Sequence, residues 1–232
     1  MDRIFLESVR DRKTNVPVYA STTSGYYPVV MAVFVSLLVI SNIGAVKLIS
    51  VGPLILDGGA FLFPLVYITG DILSEVYGFK AARKAILVGF AMAIIAAVTF
   101  WLVQLSPPGG GWANQEAYEA ILGFVPRIVF ASVCGFLVGQ LLNSYVLVKI
   151  KARTNEGSLW VRLIGSTLVG ELADTVVFCT IAFYGIITGG DFMNYVIVGY
   201  LYKTLVEVVM LPVTYRVIAH VKANEPTYVA AN

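Results

Sequence analysis

Six long apolar runs alternate with short polar stretches along the chain, and they set the expected fold class. They cover residues 26–49, 59–79, 84–105, 125–149, 162–187 and 193–220. Each is close to the ~20 residues that a helix needs to cross the hydrocarbon core of a bilayer, with some excess for tilt. A short basic turn, Gly78 to Lys84, separates the second run from the third. The pattern predicts an all-α membrane protein with about six transmembrane helices.

The distribution of basic residues predicts how these helices are oriented. If six helices cross the membrane, 13 of the 16 Lys and Arg residues fall on one side of it. Cytoplasmic loops carry an excess of Lys and Arg, so both termini are expected in the cytoplasm. The chain then divides into an N-terminal tail (1–25), a transmembrane domain (26–222) and a C-terminal tail (223–232).

The two halves of the chain share short matches at an offset of about 100 residues. Gly70-Asp71-Ile72 is matched by Gly170-Glu171-Leu172, and Asn42 with Lys47 is matched more loosely by Asn143 with Lys149. Three helices in each half would enter the membrane from opposite sides. The matches are therefore compatible with a 3+3 inverted repeat of the kind found in secondary transporters.

Composition excludes several classes of function. The chain is 58% hydrophobic and 13% charged, whereas soluble domains are about one-quarter charged. The net charge of +2 comes without a basic tract, so no nucleic-acid partner is expected. Cys134 and Cys179 lie in apolar runs without metal-ligand spacing, and no cofactor or metal is expected. His220 is the only histidine and there is no P-loop, which disfavours most enzyme classes.

The longest outer loop follows the third helix. Prolines and glycines from Pro107 to Gly111 end that helix. Asn114 is then placed to cap a short amphipathic helix over residues 115–122, and Pro126 suits the first turn of the fourth transmembrane helix.

Charged and amide side chains within the predicted spans carry the functional argument. An ionised group at mid-bilayer costs on the order of 3 kcal/mol, so such groups face the bundle interior or a polar cavity. Helical spacing puts Asp71 with Glu75, Glu171 with Asp174, and Lys203 with Glu207 on shared faces. Lys203 is able to pair with Glu207, yet at least two of the five acids still lack a basic partner. The candidate site comprises these six residues with Tyr67 and the amides Asn42, Gln140 and Asn143.

The second apolar run resembles the signature of a known family. Residues 63–78, which read FPLVYITGDILSEVYG, are similar to the signature of the queuosine precursor transporters, also called the vitamin uptake transporter family. Shorter matches follow in the same order along the chain, at Pro126-Arg127, Gly139-Gln140, Asn143, Arg162, Gly165-Ser166-Thr167, Asp174-Thr175 and Lys203. The resemblance covers about residues 41–222.

That resemblance implies a multi-pass protein of the bacterial inner membrane that imports 7-cyano- and 7-aminomethyl-7-deazaguanine for queuosine synthesis in tRNA. A carboxylate such as Asp71 or Asp174 could accept from the ring N–H and amino group of the guanine-like edge. Asn42, Gln140 and Asn143 could bind the remaining polar ring atoms. Glu171 would suit the aminomethyl cation. The candidates for stacking on the ring are Tyr67, Phe178, Tyr184 and Tyr202.

Several alternatives remain open at this stage. One is a substrate-capture subunit of an ATP-driven vitamin uptake system, and another is an intramembrane aspartyl-type enzyme built on Asp71 and Asp174. Proton coupling and facilitated diffusion are both compatible with the unpaired acids. Small residues of the third helix offer a face for a homodimer or for packing within one protomer (Gly89, Ala93, Ala96 and Ala97).

Overall fold

The computed structural model describes residues 19–23, 25–153 and 159–228, and is mainly helical. In chain order the elements are α1 (Tyr27–Gly44), β1 (Leu48–Val51), β2 (Leu54–Asp57), a 3-10 helix (Gly58–Phe61), α2 (Phe63–Tyr77), α3 (Phe79–Leu105), α4 (Gln115–Leu122), α5 (Val125–Arg153), α6 (Leu159–Phe183) and α7 (Gly189–Asn224). The predicted N-terminal tail as far as residue 18, and the end of the C-terminal tail from residue 229, lie outside the described residues. The side chains of the basic cluster between α5 and α6 also lie outside them.

Only some of these helices are long and apolar enough to cross a membrane. Within the described ranges, four segments are long and apolar enough to cross a membrane: Tyr27–Gly44, Phe79–Leu105, Gln115–Asn143 and Gly189–Asn224. α2 has 15 residues, about 22 Å of helix at 1.5 Å per residue. α6 carries Glu171 and Asp174. The multi-helix membrane architecture is therefore clear, while the count of six spans stays a prediction.

A β-hairpin replaces the end of the first predicted helix. α1 ends at Gly44 rather than at residue 49, and β1 pairs antiparallel with β2, with Val51 opposite Leu54. The two-residue loop is Gly52-Pro53, and Gly52 has φ of 60°. Glycine at the first loop position suits a type II′ turn, whose twist matches that of the flanking strands. Hydropathy alone does not separate such strands from a helix, because the apolar run continues through them.

The boundary between the second and third helices is one residue wide. Gly78, with φ of 83°, separates α2 from α3, which begins at Phe79. The prediction of a basic turn from Gly78 to Lys84 is therefore wrong. Lys80, Arg83 and Lys84 instead occupy the first turns of α3.

Two other elements follow the sequence prediction closely. α4 covers Gln115–Leu122 as expected. Asn114 precedes it in the capping position, although its side chain forms no capping hydrogen bond. Pro126 lies in the first turn of α5.

The helices are held together by small residues at two contacts. A Cβ on Gly139 of α5 would lie 2.9 Å from the Gly170 carbonyl oxygen of α6, so only glycine permits that approach. On α3, Gly89 contacts Leu38 of α1, and Ala93 and Ala97 are buried. The small-residue face of α3 thus packs largely within the protomer. These contacts leave a space between α1, α2, α3, α5, α6 and α7.

Candidate functional site

A cavity of about 430 Å³ lies between the helices. Binding sites for small organic ligands commonly have volumes of roughly 300–1,000 Å³. Its lining includes the hairpin end and the 3-10 helix as well as these six helices. Its polar lining residues are Ser41, Asn42, Asp57, Tyr67, Asp71, Ser74, Ser132, Gln140, Asn143, Thr167, Glu171, Asp174, Thr175, Tyr195, Tyr202 and Lys203.

One end of the cavity is closed by the hairpin, which α7 fastens. The Asn194 amide accepts from the Ile55 N–H at 3.1 Å and donates to the Pro53 carbonyl at 2.8 Å. The Tyr195 hydroxyl donates to Asp57 Oδ2 at 2.6 Å. The Tyr202 hydroxyl donates to the Ala60 carbonyl at 2.9 Å. Tyr195 is 1% exposed, so its contact with the hairpin is buried at this end of the cavity.

An ion-paired cluster forms the middle of the cavity wall. Lys203 Nζ lies 2.5 Å from Asp174 Oδ2 and 3.9 Å from Glu171 Oε2. The Tyr67 hydroxyl donates to Glu171 Oε1. The Lys203 ammonium also lies 5.2 Å from the centroid of the Phe63 ring, a cation–π distance. Spacing allowed Lys203 to pair with Glu207 on its own helix, but the lysine instead crosses to Asp174 and Glu171 of α6.

Several buried polar atoms around this cluster have no hydrogen-bond partner. They are Asn42 Nδ2, Asn143 Oδ1, Glu171 Oε2 and Thr175 Oγ1. Asn42 is only 6% exposed and Thr175 only 2%. An unsatisfied buried donor or acceptor costs about 1–3 kcal/mol. All four residues line the cavity, so a polar ligand that reached these atoms would relieve this cost. Glu171 Oε2 differs from the other three because it already lies in an ion pair with Lys203.

The other end of the cavity is open. Asp71, Ser74 and Gln140 line it and are exposed. Among the residues that the structure describes, Asp71 takes part in no ion pair. No described residue forms a hydrogen bond or an ion pair with its carboxylate, so both oxygens can accept from a ligand.

Two of the predicted site residues lie outside the cavity lining. Glu75 pairs with Lys222 at 2.7 Å, which joins the end of α2 to the end of α7. Glu207 is half-buried on α7 and is not part of the lining. The other eight predicted residues line the cavity together. Of the predicted stacking aromatics, Tyr67, Phe178 and Tyr202 line it, and Tyr184 does not.

Asp57 is the main lining residue that sequence reasoning missed. It lies between two predicted spans, at a position that the hydropathy pattern assigns to a loop. Its signal in the sequence is an acid that follows an aliphatic stretch and precedes Gly58-Gly59, which is a capping position. Its Oδ1 accepts from the Gly59 N–H at 2.8 Å.

Comparison with known proteins identifies the family. Residues 57–217 match the family model described as "Putative vitamin uptake transporter". The chain belongs to the vitamin uptake transporter family. This match covers the hairpin end, the 3-10 helix and every helix that lines the cavity except α1. It is thus a membrane transporter rather than an enzyme.

Three curated relatives of this vitamin uptake transporter share much of its length. The "Probable queuosine precursor transporter" of Bacillus subtilis is 33% identical over 178 residues, 76% of this chain and 78% of the relative. The "Queuosine precursor transporter" of Escherichia coli is 28% identical over 163 residues, 69% of this chain and 71% of the relative. The "Probable queuosine precursor transporter" of Haemophilus influenzae is 28% identical over 168 residues, 70% and 68% of the two chains. No solved structure is significantly similar to the chain.

Proposed function

We propose that this vitamin uptake transporter imports 7-cyano- and 7-aminomethyl-7-deazaguanine, which are queuosine precursors salvaged for tRNA modification. The names of its relatives support this substrate class. The observation that carries the proposal is the cavity, where a carboxylate with two free oxygens lies among buried polar atoms that lack partners.

In the proposed binding mode, the hydrogen-bonding groups of the ligand face complementary side chains of the cavity. Asp71 accepts from the ring N–H and the exocyclic amino group, because a free carboxylate is able to take both hydrogen bonds at once. Asn42, Gln140 and Asn143 bind the other polar ring atoms, since each amide both donates and accepts. Tyr67, Phe178 or Tyr202 stacks on the flat ring. The Lys203–Asp174–Glu171 cluster forms the polar wall beside it.

The proposed membrane arrangement has six spans, both termini in the cytoplasm and the hairpin at the outer face. In this arrangement, the open end of the cavity faces the cytoplasm, because α2 runs inwards towards the basic first turns of α3. The described conformation is then the one that releases substrate inside the cell. Opening to the outside requires the hairpin to separate from Asn194, Tyr195 and Tyr202 of α7.

The chain is proposed to work as a self-contained carrier. Neither a motor subunit nor an intramembrane aspartyl enzyme gains support from its relatives, which are named as transporters. Two driving forces fit the proposal. Protons could be coupled through acids that lack a cation, or facilitated diffusion could be followed by metabolic trapping.

Uptake by cells that neither make nor import deazaguanines tests this proposal. The chain alone should restore queuosine in tRNA from either added base. Asp71→Asn should lower uptake by about tenfold or more, because the amide offers only one acceptor to the two donors of the ligand edge. The matched control is Asp191→Asn, an exposed acid outside the cavity. Normal uptake by Asp71→Asn, at equal expression, would remove the central recognition step.

A further inference from the structure

Asp57 is a carboxylate at the closed end of the cavity, and its hydrogen bonds within the described residues all come from neutral groups. Oδ1 accepts from the Gly59 N–H at 2.8 Å, and Oδ2 accepts from the Tyr195 hydroxyl at 2.6 Å. In the described ranges of the chain, it forms no ion pair, since Lys203 is taken up by Asp174 and Glu171. The Ala60 backbone N–H also lies near this carboxylate. A carboxylate has about four lone-pair positions, so Asp57 keeps room for a further donor.

The structural roles of Asp57 do not require its charge. Asparagine would cap the 3-10 helix through the same oxygen, and its amide nitrogen would face the Tyr195 hydroxyl oxygen. An ionised carboxylate in an apolar membrane interior is more costly than an amide. Lys203 attracts this charge from a distance but forms its ion pairs with Asp174 and Glu171. A cation that enters the cavity is therefore the group that would pair with Asp57 directly.

The surroundings of Asp57 suit such a cation. Tyr195 and Tyr202 place aromatic rings beside the hairpin end, and both line the cavity. Aromatic faces next to a carboxylate are a common environment for a bound ammonium group.

The positions of the two carboxylates fit the two ends of a deazaguanine. Asp71 at the open end has both oxygens free, which suits the paired donors of the guanine-like edge. The substituent at ring position 7 lies on the opposite side of the bicycle from that edge. A ligand held by Asp71 thus directs this substituent towards the closed end and Asp57.

We infer that the Asp57 carboxylate binds the primary ammonium group of a cationic ligand, namely the aminomethyl substituent, and so sets the preference between charged and uncharged substrates. This inference rests on the proposed function and assigns the ammonium contact to Asp57 instead of Glu171. Glu171 is less suited because its two carboxylate oxygens already contact Lys203 and the Tyr67 hydroxyl.

The test compares two ligands that differ only in charge. Calorimetry on the purified protein gives the affinities for 7-aminomethyl-7-deazaguanine and for its uncharged analogue, 7-hydroxymethyl-7-deazaguanine. The wild-type protein should prefer the cation by about tenfold or more, as expected for a charge-assisted hydrogen bond. Asp57→Asn should remove that preference. A wild-type ratio near one would overturn the inference without any variant.

Two further variants separate charge from structure. Tyr195→Phe loosens the hairpin contact but keeps the carboxylate, so the ratio of affinities should persist. Glu171→Gln should also leave the ratio in place. If Glu171→Gln removed the preference for the cationic ligand and Asp57→Asn kept it, the ammonium contact would belong to Glu171. Absence of binding by all ligands, including 7-cyano-7-deazaguanine, would instead defeat the proposed function itself.

Discussion

At the scale of single residues, the pair of Lys203 with Asp174 determines how much negative charge the cavity presents. Both side chains are about one-fifth exposed, at 19% and 23%. The 2.5 Å contact crosses from α7 to α6, so the same pair also joins two helices of the cavity wall. Removal of one partner leaves a charge that the apolar surroundings cannot stabilise.

Lys203→Met is expected to destabilise the protein by roughly 3 kcal/mol, the lower end of the range for broken buried pairs, because the pair is partly exposed. Adding Asp174→Asn should recover much of this loss, since the unpaired carboxylate is then removed as well. Thermal unfolding in detergent measures both effects. Purely additive losses in the double variant would show that the two residues do not stabilise one another.

At the scale of the elements, Arg127 at the start of α5 holds the end of α6. Its Nε donates to the Ile181 carbonyl at 2.6 Å, and its Nη2 donates to the Tyr184 carbonyl at 2.8 Å. The last carbonyls of a helix have no partner within it. Arg127 satisfies two carbonyls at the α6 terminus and thereby fixes the helix that carries Glu171 and Asp174.

Arg127→Ala should lower the free energy of unfolding by about 1.5–3 kcal/mol, the usual value for a hydrogen bond with a charged group. Arg127→Lys should recover part of it, because a lysine retains one charged donor group without the planar fork. Melting temperatures in detergent give the comparison, with Arg216→Ala, an exposed arginine of α7, as the control. Equal melting temperatures for Arg127→Ala and the control would rule out the capping role.

The boundaries of some helices could be predicted from the sequence, whereas the hairpin and the partner of Lys203 could not. The end of α3, the short helix α4 and the start of α5 were placed closely, because Pro107, Pro108 and Pro126 mark helix limits. The start of α3 was not, since its basic first turns were assigned to a loop. The hairpin was not predicted, since its strands continue the apolar run of α1 and only Gly52-Pro53 signals the turn. The partner of Lys203 was also missed. Spacing within one helix favours Glu207, whereas tertiary packing brings in Asp174.

The candidate site was predicted largely from the cost of charge in a membrane. That cost selected Asp71, Glu171, Asp174 and Lys203, and all four line the cavity. It also selected Glu75, which instead pairs with Lys222 near the end of the bundle. Position in the sequence alone does not distinguish a residue that lines the cavity from a residue one helical turn away that forms an ion pair.

At the scale of the whole molecule, α7 contacts both ends of the cavity. Its 36 residues run from the hairpin contacts of Asn194 and Tyr195 to the Lys222–Glu75 ion pair. Just beyond it, the buried Glu225 accepts from the Tyr77 hydroxyl at 2.6 Å and from the Tyr26 N–H at 2.8 Å. The chain after α7 is thus tied to the end of α2 and the start of α1.

This tie should make stability depend on pH through Glu225. Burial raises the pKa of Glu225, but hydrogen bonds from Tyr77, Tyr26 and Thr227 outweigh it and hold the pKa below its usual value. A lowered pKa in the folded state gives stability that is present above the unfolded-state pKa and is lost as pH falls through the folded-state pKa. Wild type should therefore be more stable than Glu225→Gln near pH 7, with the difference shrinking in acid. Melting temperatures across pH give this difference, and one that does not change with pH would contradict the assignment.

The most direct measurement is binding of 7-cyano-7-deazaguanine to the purified protein, followed by thermal unfolding, with adenine as the control base. A ligand at about 100 times its dissociation constant adds about 2.7 kcal/mol of stability, so the melting temperature should rise by several degrees. Asp71→Asn should show little or no rise, and adenine should give none. Folded wild-type protein whose melting temperature does not change with the deazaguanine would contradict the assignment of this cavity as a deazaguanine site.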